Sequence, residues 1–268
     1  MHLSDEQVEA YHRDGYLTVD PVFEPREVEA LIRAYDRDIS RPGPQRIVED
    51  NGKEIRTVYA SHVREPIFAR VLRDSRLLVP VQRLLTESVY IYQLKVNAKP
   101  AFGGDKWAWH RDYPAWQMLD GLPAPQQVNV GVFLDEATEL NGPLVVVPGS
   151  HRAFNRRVDR RRGVRSTQHL DPDDIALTSE EVAELVAVHG TQMVKGPAGS
   201  AVFFSPEIVH GSAPNDSPLQ RRLMIATYND VANQPPWSGE PRPAYLVGRD
   251  VEPLRVTGDT LLDAVVPL

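Results

Sequence analysis

The 268-residue sequence contains no cysteine. Without thiols the chain can form no disulfide, no cysteine zinc site and no iron–sulfur cluster, and it offers no thiol nucleophile. It also lacks any apolar run approaching the roughly 18 residues of a membrane span. The polar, acidic N-terminus does not resemble a signal peptide. We therefore expect a cytoplasmic protein without a membrane partner.

Excess positive charge is absent as well. Thirty Lys and Arg residues against 37 Asp and Glu residues give a formal charge of -7. This balance argues against nucleic acid as the main partner. The eight histidines leave imidazole and carboxylate groups as the candidate ligands for any metal.

Helical patterns fill the first part of the chain. Ser4 and Gln7 match a capping box, and Pro25 suits the first turn of a second helix whose apolar residues recur at helical spacing. A third helix is expected over about 76–85, and Thr178 begins another one later in the chain. We interpret these helices as packing elements rather than as functional sites.

From Ser88 onward the pattern changes to the alternation that is typical of β-strands. The predicted strands cover 89–97, 127–134, 144–147, 201–204 and 221–229. In the first strand, the residues expected on one face are Val89, Ile91, Gln93, Lys95 and Asn97. Short strands after N-terminal helices favour a mainly β fold with flanking α-helices, as in a β-sandwich or jelly roll.

We expect one domain over 1–268. Its helical part is expected over about 1–86 and its jelly-roll core over about 87–235.

The stretch His110-Arg111-Asp112 is a candidate metal motif. Residues two apart share a face in an extended segment, so His110 and Asp112 can reach the same cation. The motif alone is weak, because His-x-Asp often occurs by chance. His210 strengthens it, since two histidines and one carboxylate form the facial triad that holds non-haem Fe(II) and leaves positions open for a chelating cosubstrate and dioxygen.

Arg221 follows His210 by eleven residues, at the start of a predicted strand. Its guanidinium could pair with a carboxylate of a dicarboxylate cosubstrate through two hydrogen bonds. The neighbouring Arg222 faces the opposite way, and we interpret it as a surface arginine. The same triad could also bind zinc for hydrolysis, or hold a metal without oxygenase activity, and both alternatives stay open.

The spacing of these residues resembles the phytanoyl-CoA dioxygenase (PhyH) superfamily. Two further stretches that support this resemblance, Asn141-Gly142-Pro143-Leu144 and Pro148-Gly149-Ser150-His151, lie between the His-x-Asp motif and His210. The similarity extends from about Leu3 to Leu254. Further supporting stretches are 59–62, 101–105, 120–125, 128–134, 210–215 and 227–233. Within the superfamily the chain is most similar to bacterial hydroxylases of free amino acids, such as leucine 5-hydroxylase and trans-proline 4-hydroxylase, and more distantly to ectoine hydroxylase.

This resemblance implies a double-stranded β-helix, the jelly-roll or cupin-like core, together with Fe(II), 2-oxoglutarate and dioxygen. It makes His110, Asp112 and His210 both the metal ligands and the catalytic centre, and it makes Arg221 the anchor for the far carboxylate of 2-oxoglutarate. The other residues implied to line the 2-oxoglutarate pocket are Gln93, Asn97, Asn129 and Ser212. A solvent-facing polar strand face is the alternative for the residues on the first strand.

Trp107 and Trp116 flank the metal motif, and we expect them to line the substrate site. Packing in the core would account for these two aromatic residues nearly as well. The resemblance also makes Arg56, Tyr59 and His62 candidates for binding the charged ends of an amino acid, because they lie in a segment that approaches the active site in similar proteins. The implied reaction hydroxylates an unactivated aliphatic C–H bond of a free L-amino acid, leucine-like first and proline next, and forms succinate and CO2. The partner would then be a small molecule.

Two further features bear on the substrate site. Arg111 departs from the family pattern; it should point away from the metal side of a regular strand, but its charge could alter substrate selectivity. Six arginines between Arg156 and Arg165 predict a solvated loop, with a lid over an anionic site as the alternative.

Overall fold

The computed structural model describes residues 1–49, 52–153, 174–236, 240–258 and 260–264. Its helices are α1 (Asp5–Asp14), α2 (Pro25–Ile39), α3 (Pro66–Val71), α4 (Ser75–Leu84), α5 (Asp112–Asp120) and α6 (Ser179–His189). Its strands are β1 (Tyr16–Val19), β2 (Arg46–Val48), β3 (Ile55–Tyr59), β4 (Val89–Lys99), β5 (Trp107–His110), β6 (Gln127–Phe133), β7 (Leu144–Val146), β8 (Gln192–Val194), β9 (Ala201–Phe204), β10 (His210–Ser212) and β11 (Arg221–Asp230). The helices and strands named from the sequence patterns are all present, and the patterns miss several short elements, among them α3 and α5.

The strands form two antiparallel sheets. The seven-stranded sheet has the order β1-β9-β6-β11-β4-β3-β2, and the four-stranded sheet has the order β5-β10-β7-β8. From β4 to β11 the chain changes sheet at nearly every strand, which is typical of a sandwich rather than of a hairpin meander. The predicted mainly β fold with flanking helices is confirmed.

Helix α1 shows how local signals set the element boundaries. The Ser4 hydroxyl accepts a hydrogen bond from the Gln7 N–H, and the Gln7 side chain accepts one from the Ser4 N–H, so the capping box forms as predicted. Gly15 ends the helix with φ of 82°, and its N–H donates to the Tyr11 carbonyl. Glycine adopts this left-handed conformation without strain, so the chain can turn directly into β1.

One face of the seven-stranded sheet packs against α1 to α4. Alternate residues of its central strands point to this side, namely Val128, Val130 and Val132 of β6 and Met224, Ala226 and Tyr228 of β11. They join apolar helix residues such as Leu31, Phe68 and Leu77 in one buried cluster. This helix-side cluster is the main apolar core, and it holds the sheet that carries the pocket described below.

The alternation along β4 differs from the prediction. Ile91 and Gln93 lie two apart in β4 but pair with adjacent residues of β11, so the strand contains a β-bulge. Val89 and Ile91 therefore pack into the helix-side core, whereas Gln93, Lys95 and Asn97 face the opposite side. The expectation that all five share one face is wrong, because a bulge adds a residue and reverses the alternation beyond it.

The other face of the seven-stranded sheet packs against the four-stranded sheet. The apolar side chains that meet between the sheets include Phe133, Leu144, Val146, Val194, Phe204, Leu223 and Ile225. Polar side chains of β4 lie beside this cluster and face a pocket between the sheets.

Three expectations concern the chain as a whole. No helix in the described ranges has the length and apolar character that a membrane crossing requires. The segment Arg156–Arg165, predicted as a loop or a lid, lies outside the described residues. The single domain over 1–268 stays a prediction.

Candidate metal centre and active-site pocket

Three side chains of metal-ligand type meet between the two sheets. His110 ends β5, His210 begins the adjacent β10, and Asp112 is the first residue of α5. Their candidate ligand atoms all lie within 4.8 Å of one another, and all three residues are buried. Two imidazoles and one carboxylate are a donor set that suits Fe(II) and leaves coordination positions for other ligands.

The local structure around Asp112 differs from the prediction. The sequence predicts that His110 and Asp112 share a face of one extended segment, but that segment ends at Arg111, with φ -121° and ψ 143°. Helix α5 begins directly after it, and the Asp112 N–H donates to the Pro206 carbonyl over 3.0 Å. This strand-to-helix turn places carboxylate oxygens of Asp112 3.7 Å from Nε2 of His110 and 3.8 Å from Nε2 of His210.

Hydrogen bonds to backbone carbonyls set the tautomers of the two histidines. Nδ1 of His110 lies 2.6 Å from the Ala108 carbonyl oxygen, and Nδ1 of His210 lies 3.0 Å from the Ile208 carbonyl oxygen. Because a carbonyl oxygen only accepts, each Nδ1 carries the proton and each Nε2 presents a lone pair. Burial, followed by the neighbouring His210, lowers the pKa of His110 to about 3, so this imidazole stays neutral and able to bind a metal.

Asp112 is held in its ionised form. Burial would raise the pKa of its carboxyl group, but Lys95, the two histidines and a hydrogen bond from Asn129 together lower it. Nδ2 of Asn129 donates to Oδ2 of Asp112 over 2.8 Å, and its Oδ1 accepts from the Thr227 hydroxyl over 2.7 Å. Asn129 therefore lies behind Asp112 and is not among the residues that line the pocket, so its predicted contact with 2-oxoglutarate stays a prediction.

A pocket opens from this triad. The predicted residues that line it, besides the triad, are Tyr59, Gln93, Asn97, Trp107, Trp116, Ser212 and Arg221. The lining residues that the sequence analysis missed include Lys95, Ala115, Leu144, Ile175, Leu223, Ile225 and Arg242. Apolar walls with a few cationic and amide groups suit a small polar ligand that has an aliphatic part.

Arg221 supplies a buried cation at one end of the pocket. It begins β11 and is only 4% exposed. Its Nη2 donates to the Gly142 carbonyl over 2.8 Å, but its buried Nε has no hydrogen-bond partner among the described residues. Burial lowers the pKa of Arg221 to about 10, so the guanidinium stays charged at neutral pH. An unsatisfied buried cation is unfavourable, and a carboxylate of 2-oxoglutarate would satisfy it.

Lys99 is a second basic residue near this end, in contact with the pocket residue Ser212, and the sequence analysis missed it. Its Nζ donates to the Ser212 hydroxyl over 2.8 Å and also to the Ala213 carbonyl. Burial, followed by the charge of Arg221, lowers the pKa of Lys99 to about 6. The signal that could have revealed Lys99 is its position two residues after Asn97 on the polar face of β4.

The side-chain amides of Asn97 and Gln93 line the pocket, and each has one polar atom that is bonded to another protein group. Oδ1 of Asn97 accepts from the Thr57 hydroxyl over 2.9 Å. Nε2 of Gln93 donates to the Leu246 carbonyl over 2.8 Å. These bonds fix the amide orientations, so Asn97 offers a donor to a ligand and Gln93 offers an acceptor.

The five predicted substrate residues separate into two groups. Those that line the pocket are Tyr59, Trp107 and Trp116. Arg56 instead lies against the outer side of the pocket wall: its guanidinium is 4.1 Å from the Trp107 ring centroid and donates to Glu49 over 2.9 Å. His62 follows β3 in a short 3-10 helix, where burial lowers its pKa to about 4, and it does not line the pocket.

Arg242 is a pocket residue for which the sequence holds no signal. Its Nε and Nη2 donate to the carboxylate of Asp120 over 2.8 and 2.5 Å, across 122 positions of the chain. Arg242 also lines the pocket. The pocket therefore has cations at both Arg221 and Arg242.

Arg222 and Arg111, which the sequence analysis expected to point away from the site, both lie close to carboxylates. Arg222 faces away from the pocket as predicted, but it is only 7% exposed and donates to Asp135 over 2.8 and 2.7 Å. The interpretation as a surface arginine is wrong, because Asp135 and the ring of Tyr35 cover it. Arg111 lies 3.8 Å from Glu207 and does not line the pocket.

Comparison with known proteins places this geometry in a family. The family model of phytanoyl-CoA dioxygenase (PhyH) matches residues 11–223. An ectoine dioxygenase of Bordetella bronchiseptica is 35% identical over 255 residues, which cover 92% of this chain and 83% of the relative. An L-proline trans-4-hydroxylase of Streptomyces griseoviridis is 34% identical over 249 residues, which cover 91% of this chain and 92% of the relative.

Solved structures support the same assignment. EctD from S. alaskensis with 2-oxoglutarate and 5-hydroxyectoine matches with a TM-score of 0.82 at 32% identity, covering 97% of this chain and 89% of that one. The same protein with bound Fe matches with a TM-score of 0.82 at 31% identity. These matches confirm the predicted jelly-roll core and the predicted cofactors. The chain belongs to the phytanoyl-CoA dioxygenase family of iron- and 2-oxoglutarate-dependent dioxygenases.

Proposed function

We propose that this enzyme hydroxylates an unactivated aliphatic C–H bond of a free L-amino acid, with His110, Asp112 and His210 as the iron ligands. The observation that carries the proposal is one pocket that combines the triad with the unsatisfied buried guanidinium of Arg221. Neither a zinc-dependent hydrolase nor a metal-binding protein without oxygenase activity needs a cation at that position.

The cosubstrate end of the pocket is formed by Arg221 and its neighbours. Nε of Arg221 gains the acceptor it lacks when the far carboxylate of 2-oxoglutarate binds. Lys99, which is mostly neutral in the ligand-free enzyme, takes up a proton and adds positive charge when the dianion binds. Asn97 and Ser212 supply neutral hydrogen-bonding groups. When bound, iron and 2-oxoglutarate supply the oxidation of the substrate by dioxygen, with release of succinate and CO2.

The substrate end of the pocket has the groups that a free amino acid requires. Nη1 of Arg242 donates to the substrate carboxylate, and Oε1 of Gln93 accepts from its ammonium group. Trp107, Trp116 and Tyr59 pack against its aliphatic part.

Other residues position the ligands and exclude water. Asn129 holds Oδ2 of Asp112, and the carbonyls behind both histidines keep each Nε2 directed at the metal. Trp116 is only 4% exposed and separates the reacting groups from bulk water, which limits unproductive oxidation.

A leucine-like amino acid is the first substrate candidate and proline the next. The apolar lining by Ile175, Leu223 and Ile225 supports a small aliphatic side chain. Because one of the two relatives described above is named an L-proline trans-4-hydroxylase and the other an ectoine dioxygenase, proline and ectoine also belong in the test panel. Since 2-oxoglutarate is an intracellular metabolite, we place the activity in the cytoplasm.

A turnover assay tests the proposal. Anaerobically purified enzyme receives Fe(II), ascorbate and 2-oxoglutarate with leucine, proline or ectoine, and is then exposed to air. We expect succinate to form together with an amino acid that has gained the mass of one oxygen atom.

Two variants complete the assay. Arg221→Gln should lose succinate formation, whereas Arg33→Gln, which changes an exposed arginine on α2, should behave as the wild type. Absence of 2-oxoglutarate binding, or absence of a hydroxylated product with the whole panel of amino acids, would contradict the proposed function.

A further inference from the structure

Helix α5 connects the metal centre to the substrate end of the pocket. Its first residue is Asp112 and its last is Asp120, and between them Trp116 lines the pocket wall. The carboxylate of Asp120 accepts from Nε of Arg242 over 2.8 Å and from its Nη2 over 2.5 Å, and it also accepts from the Tyr92 hydroxyl. A single rigid helix therefore carries a metal ligand at one end and the partner of a pocket arginine at the other.

The Asp120–Arg242 pair is well shielded from solvent. The Asp120 side chain is 2% exposed and the Arg242 side chain 9% exposed. Burial would lower the pKa of Arg242, but the hydrogen bonds and charge of Asp120 outweigh it and raise that pKa. Asp120 thus neutralises the charge of Arg242 and orients its guanidinium through Nε and Nη2, while Arg242 lines the pocket.

The backbone that follows Arg242 is also fixed against β4. The Gly248 N–H donates to the Tyr92 carbonyl over 2.7 Å, and the Gln93 side chain donates to the Leu246 carbonyl over 2.8 Å. A side chain at Gly248 would not fit, since its Cβ would lie 2.1 Å from the Ile91 carbonyl oxygen. Both the backbone near Arg242 and its guanidinium are therefore held by groups that surround the pocket.

A second buried ion pair in the chain differs from the Asp120–Arg242 pair in its surroundings. Arg222 and Asp135 form a similar buried pair, with side chains 9% and 15% exposed. There Nη1 of Arg222 also has an acidic neighbour, Asp36 at 3.6 Å, so all three nitrogens of Arg222 face carboxylates. In the Asp120 pair the carboxylate bonds Nε and Nη2, and the arginine lines the pocket.

We propose that Asp120, supported by Tyr92, is a positioning residue that fixes Arg242 relative to the metal ligands and so decides which C–H bond of the substrate is oxidised. This inference rests on the proposed function, in which Arg242 binds the substrate carboxylate. Because α5 carries both Asp112 and Asp120, a carboxylate bound at Arg242 lies at a fixed distance from the metal. The substrate class that fits is a small molecule with a carboxylate at that distance from its reactive carbon.

The test compares Asp120→Asn with the matched control Asp135→Asn. The first variant keeps the shape of the side chain but removes the charge that orients Arg242. We expect the KM for the amino acid to rise about tenfold, and the ratio of hydroxylated product to succinate to fall by at least about half, because a displaced substrate no longer meets the oxidant. The KM for 2-oxoglutarate and the Fe(II) affinity should stay as in the wild type.

The control separates positioning from stability. Asp135→Asn breaks an ion pair of the same chemistry on the helix side of the sheet, so it should lower the melting temperature without changing the amino-acid KM or the product ratio. If Asp120→Asn does not fold, Tyr92→Phe tests the same role of Asp120, since it removes one hydrogen bond to Asp120 without removing a charge. It should shift the same two quantities in the same direction, but less.

The outcomes distinguish the two proposals. A wild-type enzyme that hydroxylates an amino acid, together with variants at Asp120 and Tyr92 that keep its KM and product ratio, would contradict this inference and leave the proposed function intact. The same changes in Asp135→Asn would also contradict it. A wild-type enzyme that hydroxylates no amino acid would contradict both.

Discussion

The two faces of β11 use arginine in opposite ways. Arg221 and Arg222 are adjacent and both are buried. On the pocket face, Arg221 bonds the Gly142 carbonyl but has a buried Nε without a partner in the described ranges. On the helix face, Arg222 donates both Nε and Nη2 to Asp135. Burial lowers the pKa of Arg221, whereas for Arg222 the hydrogen bonds and charge of Asp135 outweigh burial and raise it.

This difference separates a binding group from a structural one. An unpaired buried charge costs several kcal/mol, so an incompletely paired arginine is expected to persist mainly where a ligand completes it. We therefore expect Arg222 to contribute to folding stability and Arg221 to contribute to ligand binding at some cost in stability. Because side chains alternate along a strand, one strand can supply both.

The largest effect is expected from Arg221→Gln. The variant loses the charge-assisted hydrogen bonds to 2-oxoglutarate, so binding should weaken by at least about 100-fold. The free energy of unfolding of the ligand-free protein should not fall, since an unsatisfied buried charge is removed. Anaerobic titration of Fe(II)-loaded protein with 2-oxoglutarate, together with urea unfolding, measures both quantities.

Arg222→Gln is the matched variant on the other face. It leaves Asp135 without its partner, so the free energy of unfolding should fall by about 3 kcal/mol while the dissociation constant of 2-oxoglutarate stays unchanged. If Arg222→Gln weakened 2-oxoglutarate binding as strongly as Arg221→Gln does, the contrast between the two faces would be refuted.

A smaller effect is expected at the neighbouring strand β6. Asn129 on the pocket face holds Asp112, whereas Val130 on the helix face packs in the main core. Asn129→Ala should weaken Fe(II) binding about 10- to 100-fold, because an outer hydrogen bond orients the metal ligand. Val130→Ala should instead lower the free energy of unfolding by about 1–3 kcal/mol. Anaerobic metal titration and urea unfolding of both variants check this expectation. Equal Fe(II) affinities of Asn129→Ala and Val130→Ala would contradict it.

The same two faces explain how far the sequence could predict the site. Along β6, alternation separates the apolar residues of the core from Gln127 and Asn129 on the other face. Along β11 both faces are largely apolar, but alternation still places Arg221 and Arg222 on opposite sides. In β4 alternation fails for Val89 and Ile91, since a β-bulge leaves no mark in the composition of a strand. Lys99 could have been identified, because it continues the polar face beyond the bulge.

Contacts between distant segments could not be predicted in this way. Asp120 begins one of the stretches that resemble the family, but nothing in that stretch pairs it with Arg242, which lies 122 positions further along the chain. Asn129 lies on the pocket face of β6 as alternation predicts, but its amide bonds Asp112, a contact that was not predicted. Alternation gives the direction of a side chain but not the group that it contacts. The helical position of Asp112 was missed for a related reason, since the spacing in His-x-Asp suits a strand as well as a strand-to-helix turn.

The smallest expected effect concerns Lys99, the cation at the end of β4. Burial and the charges of Arg221 and Arg56 lower its pKa to about 6, although Glu49 and Asp105 oppose the shift. Lys99 is therefore mostly neutral in the ligand-free enzyme at about pH 8. The dianion of 2-oxoglutarate favours the protonated form, so binding takes up a proton, and this uptake becomes less favourable as the pH rises above about 6.

We therefore expect the dissociation constant of 2-oxoglutarate to increase with pH above about 6, by at most about tenfold per pH unit. Lys99→Met should remove this dependence, whereas Lys195→Met, which changes an exposed lysine that pairs with Glu139, should keep it. Anaerobic titrations with 2-oxoglutarate at several pH values measure the slope. A pH-independent constant in the wild type would mean that Lys99 does not change its charge on binding, and Arg221 would then be the pocket-face cation that recognises the carboxylate.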